Sequence, residues 1–285
     1  MSVSDINTKV LMHMNESTLK DEVGHNVTNI SGVTLNSTTK KFGVGSAYFN
    51  GTSYLSVENS TDFQFGSSNF TIEMWVNLGT SGKEVVLYYK RIALYSFSNI
   101  VIVINTNRQI NVAISSNNST WDMINVATSA TLDINKWYHI AIIRNGNNFY
   151  ASINGKLYLL GTSSLAISNN TANISIGGVP SISGFGNVYI DEFRISNIAR
   201  WTTDFTPNTI EYGIILKYLI QDGTELKTIN GSNLVTVCNT TDDDSVIENS
   251  FLTNGLDNLS AWNNSLASQI NNNTFKVAIY RKYVE

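Results

Sequence analysis

The sequence predicts an all-β protein, an antiparallel β-sandwich followed by a small α+β module. Three observations carry this expectation. Apolar residues recur with period two through roughly the first 210 positions. Asn-Gly dipeptides punctuate the strands, and no helical stripe occurs before Gly213. Proline occurs only at Pro180 and Pro207, so few strands are interrupted.

The elements follow in order. Val10, Met12 and Met14 alternate with Leu11 and His13. Tyr48-Phe49 and Tyr54–Val57 lead into Phe70, Ile72, Met74 and Val76, which alternate with Thr71, Glu73, Trp75 and Asn77. Ile100–Ile104 is apolar on both faces, as in a central strand covered on two sides. Ile110, Val112 and Ile114 alternate strictly. Asn145-Gly146 separates the strand His139–Arg144 from Phe149–Ile153, and Asn154-Gly155 leads into Lys156–Leu160. Asn-Gly reaches positive φ at low cost, which two-residue hairpins require.

The texture changes after Asn208. Ile214–Ile220, Glu225–Ile229 and Leu234–Val237 read as short strands. Leu256, Leu259, Trp262 and Leu266 form one helical stripe, and Phe275–Tyr283 is a closing strand. Residues 1–212 are therefore expected to form the sandwich. Residues 213–285 form a small α+β module for attachment or assembly, with a core that is marginal alone.

Composition narrows the partners. Only 14% of the 285 residues are charged, so Asn, Ser, Thr and Gly supply the polar surface. Net charge is −4, which leaves no electrostatic footprint for nucleic acid. The single cysteine, Cys238, excludes an intramolecular disulfide. Met1–Val10 lacks a charged segment followed by an apolar run, so no secretion signal is expected, and no apolar stretch is long enough to insert in a membrane. Sequons at Asn26, Asn50, Asn59, Asn118 and Asn173 are read as Asn/Ser/Thr bias.

Several segments together resemble the laminin-G-like branch of the concanavalin A-like lectin/glucanase superfamily, as found in phage structural proteins. They are Lys41–Gly51, Phe70–Val76, Trp137–Ala141, Asn145-Gly146 with Ile153–Gly155, and Tyr189–Ser196 running into Ala199-Arg200-Trp201. The resemblance covers roughly residues 8–212 and implies a jelly-roll sandwich with Val10–Met14 beside Tyr189–Ser196. Tyr218–Gly223 and Phe251–Leu259 resemble a short C-terminal unit of phage virion proteins.

No chemistry of the glucanase kind is expected. The Glu-x-Asp-x-Glu strand of those enzymes has no counterpart, and Asp191-Glu192, being adjacent, should point to opposite faces. His13, His25 and His139 are scattered, and a packed, hydrogen-bonded imidazole is the expectation for His139. Strict alternation would bury Asp191 with Tyr189, Phe193 and Ile195, which is costly for a carboxylate without a partner. The resemblance implies a calcium ion there, shared with Asp21 and the turn reaching Asn26, with help from Ser46 and its neighbours. Backbone N–H donors to Asp191, a pairing with Arg194 or Arg200, or a bulge that turns it outward are the alternatives.

For carbohydrate, the best candidate is Trp121, flanked by Asn117, Asn118 and Asp122 in a polar loop. Tyr88 is a further candidate, with Tyr89 and Tyr95. Trp75 and Trp137 are expected to be structural, and Trp201 to cap the sandwich. The expected function is a non-enzymatic bacteriophage virion surface protein, a capsid decoration or tail appendage assembled in the host cytoplasm. It would be multicopy or homo-oligomeric, in contact with other virion proteins, and would bind cell-surface or environmental glycans weakly. The alternatives are a purely structural spacer and a receptor-binding fibre tip.

Overall fold

The computed structural model describes residues 7–15, 19–80, 82–91, 97, 99–180, 184–209 and 211–212 in full, and segments 2–3, 215–222, 225–230, 233–239 and 276–282 as backbone. Two compact units result: Ile6–Glu211, and Met1–Asp5 together with Tyr212–Glu285.

The strands run β1 (Ser2–Val3), β2 (Thr8–Met12), β3 (Val27–Ile30), β4 (Thr34–Asn36), β5 (Ser46–Phe49) and β6 (Tyr54–Val57). Next come β7 (Phe70–Leu78), β8 (Val85–Tyr89), β9 (Asn99–Ile104), β10 (Gln109–Ser115) and β11 (Ile124–Thr131). Then follow β12 (Trp137–Asn145), β13 (Asn148–Ile153), β14 (Lys156–Thr162), β15 (Ile174–Ile176) and β16 (Val188–Ser196). The smaller unit contributes β17 (Ile215–Asp222), β18 (Glu225–Asn230), β19 (Asn233–Asn239) and β20 (Lys276–Lys282). Among the described residues the only helical element is a 3-10 turn at Thr61–Phe63.

The larger unit is the expected antiparallel jelly-roll sandwich. One sheet has seven strands in the order β11-β10-β9-β8-β15-β6-β3. The other has eight, β14-β13-β12-β7-β16-β5-β4, with β2 also on β16. Phe193 to Ser196 pair with Met12 to Thr8, so the first and last long strands of this unit are neighbours as anticipated. Between the sheets lies one apolar core that includes Phe49, Phe70, Ile72, Met74, Ile102, Ile140, Phe149, Phe193 and Ile195. Alternate residues of the central strands feed it, which is the structural meaning of the period-two pattern. Asn154 and Gly155 both take positive φ, 50° and 83°, as a two-residue turn needs.

Two bulges break the alternation and correct two expectations. In β8, Val86 pairs with Val103 but Tyr88 pairs with Ile102, so Leu87 and Tyr88 both turn inward. Tyr88 is fully buried in the core and presents nothing to a ligand; Tyr89 faces out in its place. In β16, Asp191 pairs with Trp75 and Arg194 with Glu73, which inserts one extra residue. Glu192 absorbs it at φ 51°. Val188, Ile190, Phe193 and Ile195 consequently face the core, and Asp191 faces outward with Tyr189. Glu192 turns outward as well: its partner His13 alternates with the core residues Met12 and Met14. The adjacent carboxylates therefore share a side instead of taking opposite ones.

The smaller unit holds a five-stranded sheet, β1-β20-β17-β18-β19. β17 to β20 fall close to the segments in which the sequence places strands. β1 pairs in parallel with Arg281 and Lys282, so residues 1–5 belong with this unit and not with the sandwich. The helix expected at Leu256–Leu266 lies outside the described residues.

Candidate functional site

The seven-stranded sheet carries a row of outward residues across its whole width. Register aligns Asn125, Ala113, Val101, Tyr89, Ser175, Ser56 and Thr28 on successive strands. Beside it run Ala127, Asn111, Val103 and Val86. Val86, Val101, Val103 and Ala113 form an apolar floor with Tyr89 and Val179, and Trp121 and Phe185 pack against it. This second cluster is distinct from the core and explains why β9 reads apolar on both faces.

Above the floor sits an aromatic–cation cluster. The Arg91 guanidinium lies 5.3 Å from the Trp121 ring centre and 5.4 Å from that of Tyr89. Phe97 meets Trp121 edge-on at 5.4 Å and is 37% exposed. Burial pushes the Tyr89 phenol up, and Arg91 opposes part of that rise. A half-buried indole with a guanidinium over it suits a ligand with an apolar ring face and hydroxyl edges. At the other end of the row the polar neighbours are Ser56 and Asn173, whose Nδ2 donates to Ser56 Oγ at 3.2 Å.

The residues flanking Trp121 are arranged for turn formation. Asp122 Oδ1 accepts from Ser116 N at 2.9 Å and Oδ2 from Ser116 Oγ at 2.5 Å. Desolvation alone would raise its carboxyl, but the hydrogen bonds, chiefly those from Ser116, together hold it below the usual range. Asn117 Oδ1 accepts from Ser119 N and Thr120 N, and Asn118 takes φ 60°. The loop thus fixes the Trp121 ring, and Asn117, Asn118 and Asp122 remain exposed at its rim. Arg91 is absent from the sequence reading. The signal for it was an arginine two residues past an outward tyrosine, legible only once the β8 bulge is known.

The outer face of the eight-stranded sheet is chemically different. Glu73 is fully buried there, with Arg194 Nε at 2.7 Å, His139 Nε2 at 3.1 Å and Arg200 Nε at 3.7 Å. Burial alone would raise its pKa, but Arg194, His139 and Arg200 hold it at about 2. Trp201 and Phe205 stack at 3.9 Å and stand edge-on to His139, so Trp201 covers this face as a cap. His139 is accordingly a packed, hydrogen-bonded imidazole.

The four residues expected to hold calcium each have hydrogen-bond partners of their own. Asp21 Oδ1 accepts from Leu11 N and Val23 N, and Oδ2 from His25 N, with His25 Nδ1 2.7 Å away. Asn26 Nδ2 donates to Glu58 Oε2, and Ser46 Oγ to Thr39 O. Asp191 Oδ2 accepts from Lys41 N at 2.9 Å and Phe42 N at 3.0 Å. Its Oδ1 is buried without a hydrogen-bond partner, and burial raises its pKa to about 7. Among the described residues no group of three or more His, Cys, Asp or Glu side chains is placed to hold a metal ion. Asp21 and Asp191 already accept N–H bonds, so the set falls short of the roughly six to eight oxygens that calcium takes.

Comparison with known proteins agrees with this architecture. Solved structures of similar fold include the binding domain of Paraclostridial Mosquitocidal Protein 1, with TM-score 0.54, 15% identity, 84% of this chain and 69% of that one. The binding domain of botulinum neurotoxin DC in complex with SialylT gives TM-score 0.55 and 16% identity over 80% and 63% of the two chains. A botulinum neurotoxin type C structure gives 0.53 and 16% over 82% and 62%, and is described with cell entry dependent upon interaction with two ganglioside molecules. The chain thus spans less than two thirds of the length of these botulinum neurotoxin structures. No curated protein sequence matches it. The Laminin_G_3 family model matches residues 49–204, more than half of the chain, and the protein belongs to the concanavalin A-like lectin/glucanases superfamily.

Proposed function

We propose that the sandwich is a non-enzymatic carbohydrate-binding module whose ligand stacks on Trp121 beside Arg91 and Tyr89. The observation that carries this reading is the Arg91–Trp121–Tyr89 cluster on the apolar floor of the seven-stranded sheet. Ganglioside and SialylT recognition named for proteins of similar fold supports it. Glu73 is committed to Arg194, Arg200 and His139, Glu192 to His13, and Asp191 to two backbone amides. These commitments keep those three carboxylates out of the paired roles that two-carboxylate hydrolysis of glycosides needs.

The reading extends to a bacteriophage virion, in which many copies are displayed on the particle after assembly in the host cytoplasm. The support is the laminin-G-like strand set followed by a C-terminal segment whose sequence resembles a unit of phage virion proteins. A single site near millimolar affinity contributes only about 4 kcal/mol. Display in many copies would raise avidity by roughly 10²–10⁴.

The test is a glycan array probed with multimerised protein, wild type against Trp121→Ala. Wild-type binding that falls at least about tenfold in the variant is expected. A blank array, or binding indifferent to Trp121, overturns the carbohydrate reading. Labelling the protein on assembled particles tests the virion reading separately, and particles without label would end it.

A further inference from the structure

The register of the eight-stranded sheet lines up four rows on its outer face. Ser196, Thr71 and Ile143 make one, and Arg194, Glu73 and Ala141 the next. Asp191, Trp75 and His139 make the third. The segments bearing Phe42 and Trp201–Phe205 cover these rows, with Phe42 edge-on to Trp75 at 5.7 Å and Trp201 and Phe205 against His139. The fourth row is Tyr48, Tyr189, Asn77 and Trp137 on β5, β16, β7 and β12. Its three aromatic residues stay partly exposed.

We infer that this fourth row is a second binding site for a neutral, polyhydroxylated ligand, distinct from the Trp121 site. Tyr48 and Tyr189 lie 4.9 Å apart at 37°, a tilted aromatic pair on one flank. Trp137 forms the other flank, about 10 Å from Tyr189 by twice the strand spacing. Asn77 lies between them, 4% exposed, and its Oδ1 is buried without a hydrogen-bond partner. A ligand hydroxyl would complete that bond while a sugar ring packs across the flanking aromatics. Further polar groups extend the row without adding charge. Asn187 Nδ2 donates to Tyr48 Oη at 3.2 Å, and Thr80 Oγ1 hydrogen-bonds Asn187. No charged side chain belongs to the row itself, although the Lys41 ammonium lies 4.0 Å from the Trp75 ring centre in the adjoining row; the aromatic and amide groups of the fourth row match a neutral ligand.

Fluorine NMR of the full chain labelled with 5-fluorotryptophan tests the two sites separately, because Trp137 and Trp121 are two of only five tryptophans. Resonances are assigned with Trp137→Phe and Trp121→Phe, and the probes are maltohexaose, cellopentaose and chitotetraose. The Trp137 resonance is expected to move saturably with at least one probe. The shift should persist in Trp121→Ala and disappear in Asn77→Ala and in Tyr189→Ala. Tyr189 is partly exposed, so its variant keeps the test alive should Asn77→Ala not fold. A Trp137 resonance static with all three probes, or one whose shift survives loss of Tyr189, overturns the second site. A static Trp121 resonance would instead count against the site under Proposed function.

Discussion

Glu73 shows how much a single side chain can hold together on a sheet face. Its carboxylate is wholly buried between two guanidinium groups and an imidazole. Replacing one member of such a set leaves the others charged and uncompensated, at about 3–5 kcal/mol. Glu73→Gln is therefore expected to lose about that much in urea unfolding at pH 7, and a loss under 1 kcal/mol would refute the assignment. Asp191 gives the opposite pH behaviour. Burial raises its folded pKa to about 7 from 3.8, with Glu192 and Glu211 adding to the rise and the Phe42 and Lys41 amides opposing it. A raised folded pKa gives stability that is fully present below about pH 3.8 and is lost as pH rises through about 7. The stability of the wild type relative to Asp191→Asn should thus fall between pH 4 and 7 by on the order of 3 kcal/mol. A flat difference across that window would contradict a buried, proton-linked carboxyl.

Strands were legible from alternation, and the sites of interest depended on where alternation fails. Phe70–Val76 reads correctly because β7 has no bulge, and its even residues all face the core. Tyr88 is buried and Asp191 faces outward, as the bulge alternative for it allowed, because one extra residue in β8 and one in β16 reverse every face beyond it. A bulge is set by how a strand fits two neighbours at once, which no single-strand pattern records. The same holds for the strap over His139. Gly155 sits at φ 83°, and a Cβ there would lie 1.7 Å from Phe205 O. Phe205 N also donates to Gly155 O at 2.9 Å. Gly155→Ala should therefore push the Trp201–Phe205 segment off the sheet, destabilise by about 2–4 kcal/mol and shift the Trp201 fluorescence. An unchanged spectrum and midpoint would mean the strap is not seated by this glycine. Arg144 is a comparable tie. It is buried and donates to the carbonyls of Gly66, Gly146 and Leu165. Arg144→Met should cost about 3 kcal/mol by leaving those acceptors unpaired.

At the scale of the molecule, the sandwich and its strand neighbours followed from pattern and resemblance, because two stacked sheets impose one simple rule on every strand. The candidate site followed only in part. Trp121 was legible as an aromatic in a polar loop and Tyr89 as a further candidate, whereas Arg91, which joins the two, is placed by the folded sheet alone. The fourth row of the eight-stranded sheet was invisible for the same reason: Tyr48, Asn77, Trp137 and Tyr189 are distant in sequence and meet through register alone. The most direct measurement is a crystal structure of the full chain with the tightest array-derived oligosaccharide. A sugar ring packed against Trp121, within reach of Arg91 and over Tyr89, is the predicted result. A ligand bound elsewhere in the chain with the Trp121 face bare would contradict the account.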